Sequence, residues 1–260
     1  MSRIDAAFAK LKAENRKAVI PFIMAGDPDL STTLSLMRRL ADKGAEIIEL
    51  GMPFSDPVAD GPIIQAAGLR ALQKNISLRD ILSLTADFRK THPDTAVVLM
   101  GYYNPIYHYR TENFCRDASA AGIDGLIIVD LPPEEEEEFL PGLKNCKLDL
   151  IKLITPTSND ERLATILKYA GGFVYYVSVT GTTGGKSAKY EDTQAAVERI
   201  KKQTDLPVAV GFGVKTGADV QKIHEFADAA VVGSALITHL HENDFSETAA
   251  ESFFSELTGL

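Results

Sequence analysis

The chain has 260 residues, 45% hydrophobic and 24% charged, a composition that supports a sizeable core. Its formal net charge of −9 repels a phosphate backbone at long range and argues against nucleic-acid binding, yet leaves room for one small anion held by backbone dipoles. Two isolated cysteines, Cys115 and Cys146, suggest neither a disulfide framework nor a metal knuckle.

Residues 1–16 carry Arg3, Asp5, Lys10, Lys12 and Glu14 and no apolar signal core, so no secretion signal is read there. The longest apolar stretches, such as 18–26, are too short to span a bilayer. The expectation is a cytoplasmic protein with reduced thiols and no membrane contact.

In chain order, Ala6, Ala7, Phe8 and Leu11 predict a first helix. Eight short β-rich runs follow, at 19–24, 46–50, 96–100, 125–129, 148–154, 173–177, 207–210 and 229–232. Most are nearly continuous in apolar residues, as in a parallel sheet buried on both faces. Between them lie helical patterns marked by Leu34, Leu36, Met37 and Leu40, by Ile81, Leu82, Leu84 and Phe88, by Leu163, Ile166 and Leu167, by Ala196, Val197 and Ile200, and by Val220, Ile223 and Phe226. Eight βα units predict one α/β domain over 1–260, a (β/α)8 TIM barrel with an extra N-terminal helix. An open doubly wound sheet is the alternative. Even spacing and the lack of a linker favour closure. Pro132 and Pro133 before Glu134 to Glu138 predict a helix start, with carboxylates at the positive dipole end. Lys152 falls inside the fifth strand, where snorkelling between outer helices is the available reading.

Three constellations could carry chemistry. Glu49 sits at the end of the second strand, and the loop after it holds Asp56 and Asp60. Asp beside Pro or Gly is ordinary turn chemistry. A carboxylate near the end of a buried strand costs desolvation unless it is used, and burial raises its pKa, which suits a general acid. Second, glycine-rich turns follow the last three strands: Ser178 to Ser187, Gly211 to Val214, and Gly233 to Ala235. Backbone N–H groups there can approach a phosphate. The first is not a P-loop, because Gly181 and Gly185 enclose three residues rather than four. Gly211, Gly213 and Gly217 miss the dinucleotide spacing by one. Third, Phe22, Ile64, Met100, Tyr102, Val129, Leu153, Tyr175 and Phe212 are core candidates singly, and together could wall a flat hydrophobic substrate. The histidines, His92, His108, His224, His239 and His241, show no metal-ligand pairing and are expected to be exposed. No GxSxG elbow is present. Neither a metal site nor a serine nucleophile is expected.

The stretch from Glu49 to Gly61 resembles the signature of the tryptophan synthase alpha chain family. The resemblance extends through Pro21-Phe22, Ala25 to Pro28, Gly101 to Pro105, Asp130 to Pro132, Thr155 to Thr157, Ser178 to Gly184, and Gly211 to Gly213. It implies a lyase that cleaves indole-3-glycerol phosphate to indole and glyceraldehyde 3-phosphate by a retro-aldol route. Carried over by position, Glu49 is the general acid/base and Asp60 balances charge at the ring nitrogen. Tyr175 and Thr183 line and close the site, with Thr183 holding Asp60. Gly184, Gly213, Gly233 and Ser234 form the phosphate cradle. The resemblance also implies a tetramer of two alpha and two beta chains. Asp56-Pro57, Asn104 to Tyr107 and Asp130 would be contact regions, and pyridoxal phosphate would belong to the beta chain, with no cofactor in this one. Val179 departs from the Arg that some members carry, so no ionic latch is implied there. Residues 180–189 are the candidate lid. Other readings are a stand-alone lyase, a phosphosugar isomerase, and a non-catalytic partner activator.

Overall fold

A computed structural model describes residues 1–177, 190–211 and 213–259. Its strands, all parallel, are β1 (Ala18–Met24), β2 (Ile47–Gly51), β3 (Ala96–Gly101), β4 (Gly125–Ile128), β5 (Asp149–Leu150), β6 (Lys152–Ile154), β7 (Val174–Tyr176), β8 (Val208–Gly211) and β9 (Ala229–Val232). The sheet order is β5-β4-β3-β2-β1-β9-β8-β7-β6. β5 and β6 flank Ile151, so they are two halves of one strand. β5 pairs with β4 and β6 with β7. The Ile151 N–H donates to Leu126 O at 2.9 Å, and the Gly171 N–H to Leu150 O at 3.0 Å. The sheet thereby closes into the predicted barrel, with edges paired rather than exposed.

The extra N-terminal helix is α1 (Arg3–Ala13). Ser2 and Asp5 form a capping box that satisfies its first N–H groups. Ile4, Ala7 and Leu11 pack into one cluster with the inward residues Ala18, Ile20, Ile47, Ala96, Val98, Ile127 and Phe173, so α1 plugs the N-terminal end of the barrel. A second cluster lies between sheet and outer helices and includes Val19, Ile48, Leu50, Val97, Leu99, Leu126 and Ile128. Successive strand residues thus alternate between barrel interior and helix layer, as the strand period of two requires. A third, smaller cluster joins Phe22 and Met24 of β1 to Ala67 and Ala71 of the helix Pro62–Leu72 and to Ile237 of the helix Ser234–Glu242. We call these helices α2 and α3 respectively. Neither stood out in the sequence: the buried face of α2 is Ala67, Gly68 and Ala71, and that of α3 is only Leu236, Ile237 and Leu240.

Two expectations are corrected. Glu134 to Glu138 do not open a helix. Pro133–Glu135 is a single 3-10 turn, and the helix that follows runs Leu140–Cys146. The reason is Glu136, which is buried against Lys152 rather than solvated. Lys152 does not snorkel. It faces the helix layer, is itself buried, and forms an ion pair with Glu136. That pair ties the loop after β4 to β6. Removing one partner leaves an uncompensated buried charge, whereas removing both need cost little. We expect Lys152→Met to lower the unfolding free energy by about 3 kcal/mol, and Lys152→Met with Glu136→Leu to recover most of the loss, measured by urea unfolding.

Candidate active site

The alternation decides where Glu49 points. Ile47 belongs to the interior and Ile48 and Leu50 to the helix layer, so Glu49 faces the interior between them. It lies in register with Phe22 of β1 and Val98 of β3. Its exposure is 1%, and its Oε2 has no hydrogen-bond partner among the described residues. A buried carboxylate without a donor favours its neutral form. Burial accordingly lifts the Glu49 carboxyl to about 8. At neutral pH it carries a proton that it can deliver.

Asp60 is placed by a compact loop. The Val58 N–H donates to Asp56 O and the Asp60 N–H to Pro57 O. Gly61 then caps α2, whose first residue is Pro62, a residue that needs no donor in a first turn. The Ala59 N–H donates to the Tyr102 hydroxyl at 2.9 Å. The Gln65 side chain donates to the carbonyls of Asp60 at 2.9 Å and Pro57 at 3.3 Å. Burial raises the Asp60 carboxyl to about 6, and its hydrogen bond with Tyr102 opposes the rise. Burial pushes the Tyr102 phenol up to about 12, so it stays a donor. The Phe54 ring lies 5.0 Å from that of Tyr102. The two carboxyls therefore differ in state near pH 7, one an acid and one an anion. Burial raises both, but less for Asp60, and carboxyls set apart in this way can divide acid and base work between them.

Parity places the expected walls. Met100, Val129, Leu153 and Tyr175 pack on the interior cluster. Phe22, Ile64 and Met100 meet at the third cluster above it. Tyr175 is raised well above an ordinary phenol, by burial first and by the Glu49 charge second. A Cβ on Gly211 would lie 1.9 Å from the Tyr175 hydroxyl, so glycine is required for that ring to turn inward. At the expected phosphate corner, β8 pairs with β9, which brings the loops carrying Gly213 and Gly233 side by side. Gly213 has a φ of +56°, a conformation glycine adopts without cost. Gly233 and Ser234 open α3 with no side-chain cap, leaving N–H groups for an anion. A Cβ on Gly233 would lie 3.6 Å from Phe22, so this corner adjoins the apolar wall. Thr183, Gly184 and Phe212, with Val179 and the candidate lid at 180–189, lie outside the described residues.

Two findings depart from the sequence reading. His108 and His241 are exposed, but His92, His224 and His239 are half-buried. His92 stacks on Phe88 at 4.9 Å and His239 on Phe253 at 4.8 Å, while the His224 Nε2 pairs with Ala18 O at 3.0 Å. Gln65, which grips the Asp60 loop, belongs to no motif. Its i+5 offset from Asp60 signals nothing until Gly61 and Pro62 are known to start a helix.

The raised Glu49 carboxyl has a thermodynamic consequence. Its folded value near 8 exceeds the unfolded value of about 4.3, so ionisation favours the unfolded chain as pH rises between the two. Below about pH 4 the group imposes no penalty. A glutamine amide at the same position cannot ionise. We expect the stability of Glu49→Gln relative to the wild type to grow on the order of 3 kcal/mol between pH 4.5 and 7, read from urea unfolding at each pH.

Residues 8–258 match the family model described as tryptophan synthase alpha chain. A tryptophan synthase alpha chain of Acidiphilium cryptum is 52% identical over 240 residues, covering 92% of this chain and 87% of that one. The crystal structure of tryptophan synthase subunit alpha from Legionella pneumophila superposes with a TM-score of 0.93 at 41% identity, covering 100% of this chain and 98% of the other. A chain of the aminoacrylate-bound tryptophan synthase from M. tuberculosis matches with a TM-score of 0.89 at 35% identity, over 99% and 98% of the two chains. By sequence and by fold, the chain belongs to the tryptophan synthase alpha chain family.

Proposed function

We propose that Glu49 and Asp60 are the acid/base pair of the lyase reaction. As a member of its family, the protein is a carbon–carbon lyase that acts on indole-3-glycerol phosphate in tryptophan biosynthesis. Breaking the bond between the ring and the glycerol chain requires the pyrrole ring to lose aromaticity first. Protonated Glu49 delivers its proton to the ring carbon that bears the chain. Anionic Asp60 balances the positive charge that develops at the ring nitrogen, and any proton it takes from that nitrogen returns there as the carbon–carbon bond breaks. The carbon–carbon bond then breaks toward the ring, which regains aromaticity as indole. The Glu49 carboxylate recovers a proton from the hydroxyl that becomes the aldehyde of glyceraldehyde 3-phosphate. Phe22, Ile64, Met100, Tyr102, Val129, Leu153, Tyr175 and Phe212 would wall the flat ring. Gly184, Gly213, Gly233 and Ser234 would cradle the phosphate, and Thr183 would hold Asp60. The observation that carries the assignment is a buried, inward-facing Glu49 at a strand end with a half-buried Asp60, hydrogen-bonded to Tyr102, on the loop that follows it. Among the described residues the buried lysine, Lys152, faces away from that mouth.

The same reading takes 1–260 as one domain in the cytoplasm. Its partner is a tryptophan synthase beta chain, in a tetramer of two alpha and two beta chains, with pyridoxal phosphate held by the beta chain. Val58 is 80% exposed and Tyr107 61%. They lie beside Asp56-Pro57 and within the 104–107 segment, and a partner would cover such apolar groups.

Glu49→Gln and Asp60→Asn should each lower indole release by about a hundredfold or more while leaving the fold intact. An active Glu49→Gln protein would remove that residue from the chemistry. For the wild type, kcat should rise with pH through about 6 as Asp60 ionises and fall through about 8 as Glu49 ionises. A flat profile from pH 5 to 9 would contradict the assignment.

A further inference from the structure

α2 starts one residue after Gly61 and so continues directly from Asp60. Its two ends are gripped by different parts of the molecule. At the N-terminal end, the Gln65 amide donates to the carbonyls of Asp60 and Pro57. At the C-terminal end, Arg70 donates through Nε and an Nη to the two carboxylate oxygens of Asp27, both at 2.7 Å. Asp27 follows β1, and its side chain is 2% exposed. The Arg70 guanidinium also lies 5.8 Å from the centre of the Phe245 ring, against which His241 packs. Along the helix, Ile64, Ala67 and Ala71 turn onto Phe22, Met24 and Ile237. That cluster is small, joined to the two larger cores only through the partly buried Met100 and Ile76, so apolar packing alone gives this helix a limited hold.

We propose that α2 is a strut that positions Asp60, with Gln65 and the Arg70–Asp27 fork as the positioning residues at its ends. This rests on the proposed role of Asp60. A two-pronged fork fixes the orientation of a guanidinium as well as its distance. Through the rigid helix it fixes where Gln65, and hence the Asp60 carbonyl, can sit. The bland alternative is that Arg70 merely neutralises a buried aspartate. The two differ in what reaches Asp60. A loosened strut admits water to its carboxyl, and the burial that raises it is lost. A neutralising role would leave it unchanged in whatever fraction stays folded. Among the described residues, Tyr102 on the loop after β3 is the titratable side chain that hydrogen-bonds Asp60. It belongs to neither grip and is retained in every variant.

The test is the pH dependence of kcat and KM for indole release by the purified full chain, in Arg70→Met, Arg70→Lys and Gln65→Met. We expect kcat to fall about tenfold or more, with the limb near pH 6 moving down by about one unit and the limb near 8 staying in place. Arg70→Lys, which keeps the charge and loses the fork, should show the shift too. A drop in amplitude with both limbs unmoved, or wild-type kinetics, would overturn the strut. If Arg70→Met does not fold, Arg70→Lys and Gln65→Met decide by the same limb. An active Asp60→Asn, or a wild type without the limb near 6, would instead sink the role of Asp60 itself.

Discussion

The burial of one carboxyl group organises this molecule. Glu49 occupies an inward position on a strand whose other inward residues are apolar. Among the described residues, no donor meets its Oε2. Water would relieve that cost, so the neutral state depends on the walls excluding it. The same walls, Phe22, Met100, Val129, Leu153 and Tyr175, are the interior residues of the strands around it. Catalytic potential and local instability thus have one cause, the low-polarity surroundings of a single acid.

Asp60 is handled differently. It lies on a loop, where position must be imposed from outside. Backbone turns set its local shape, Tyr102 meets the loop from the next strand, and α2 holds it from behind. A strand residue inherits its precision from the barrel, but a loop residue needs contacts of its own. This division explains why the polar contacts around the mouth concentrate on residues 56–70 rather than on Glu49. The phosphate corner follows a third logic. Backbone N–H groups at Gly233 and Ser234, brought beside Gly213 by the pairing of β8 with β9, would hold the anion by their dipoles in a chain whose net charge is −9.

Much of this was legible in the sequence. The eight strands stood out because both faces are buried, which makes them continuous apolar runs. Glu49 stood out because it interrupts such a run near its end. Lys152 interrupted another run, but its partner was hidden among Glu134 to Glu138, five like residues that sequence alone cannot rank. Only the fold buries Glu136 and leaves Glu134 and Glu138 exposed. α2 was missed because its buried face is Ala67, Gly68 and Ala71, too small to produce a strong apolar stripe. Arg70 and Asp27 lie 43 residues apart, and no local pattern joins them. Family resemblance supplied the substrate. Physical reasoning supplied why a buried strand-end acid and a loop carboxylate suit it.

The protonation state of Glu49 is open to direct observation. Infrared difference spectra between the wild type and Glu49→Gln, recorded without substrate from pH 5 to 9, would isolate the carboxyl stretch of that one residue. We expect a protonated carboxyl at pH 7 that ionises near 8. A Glu49 already ionised at pH 6 would contradict its role as the proton donor.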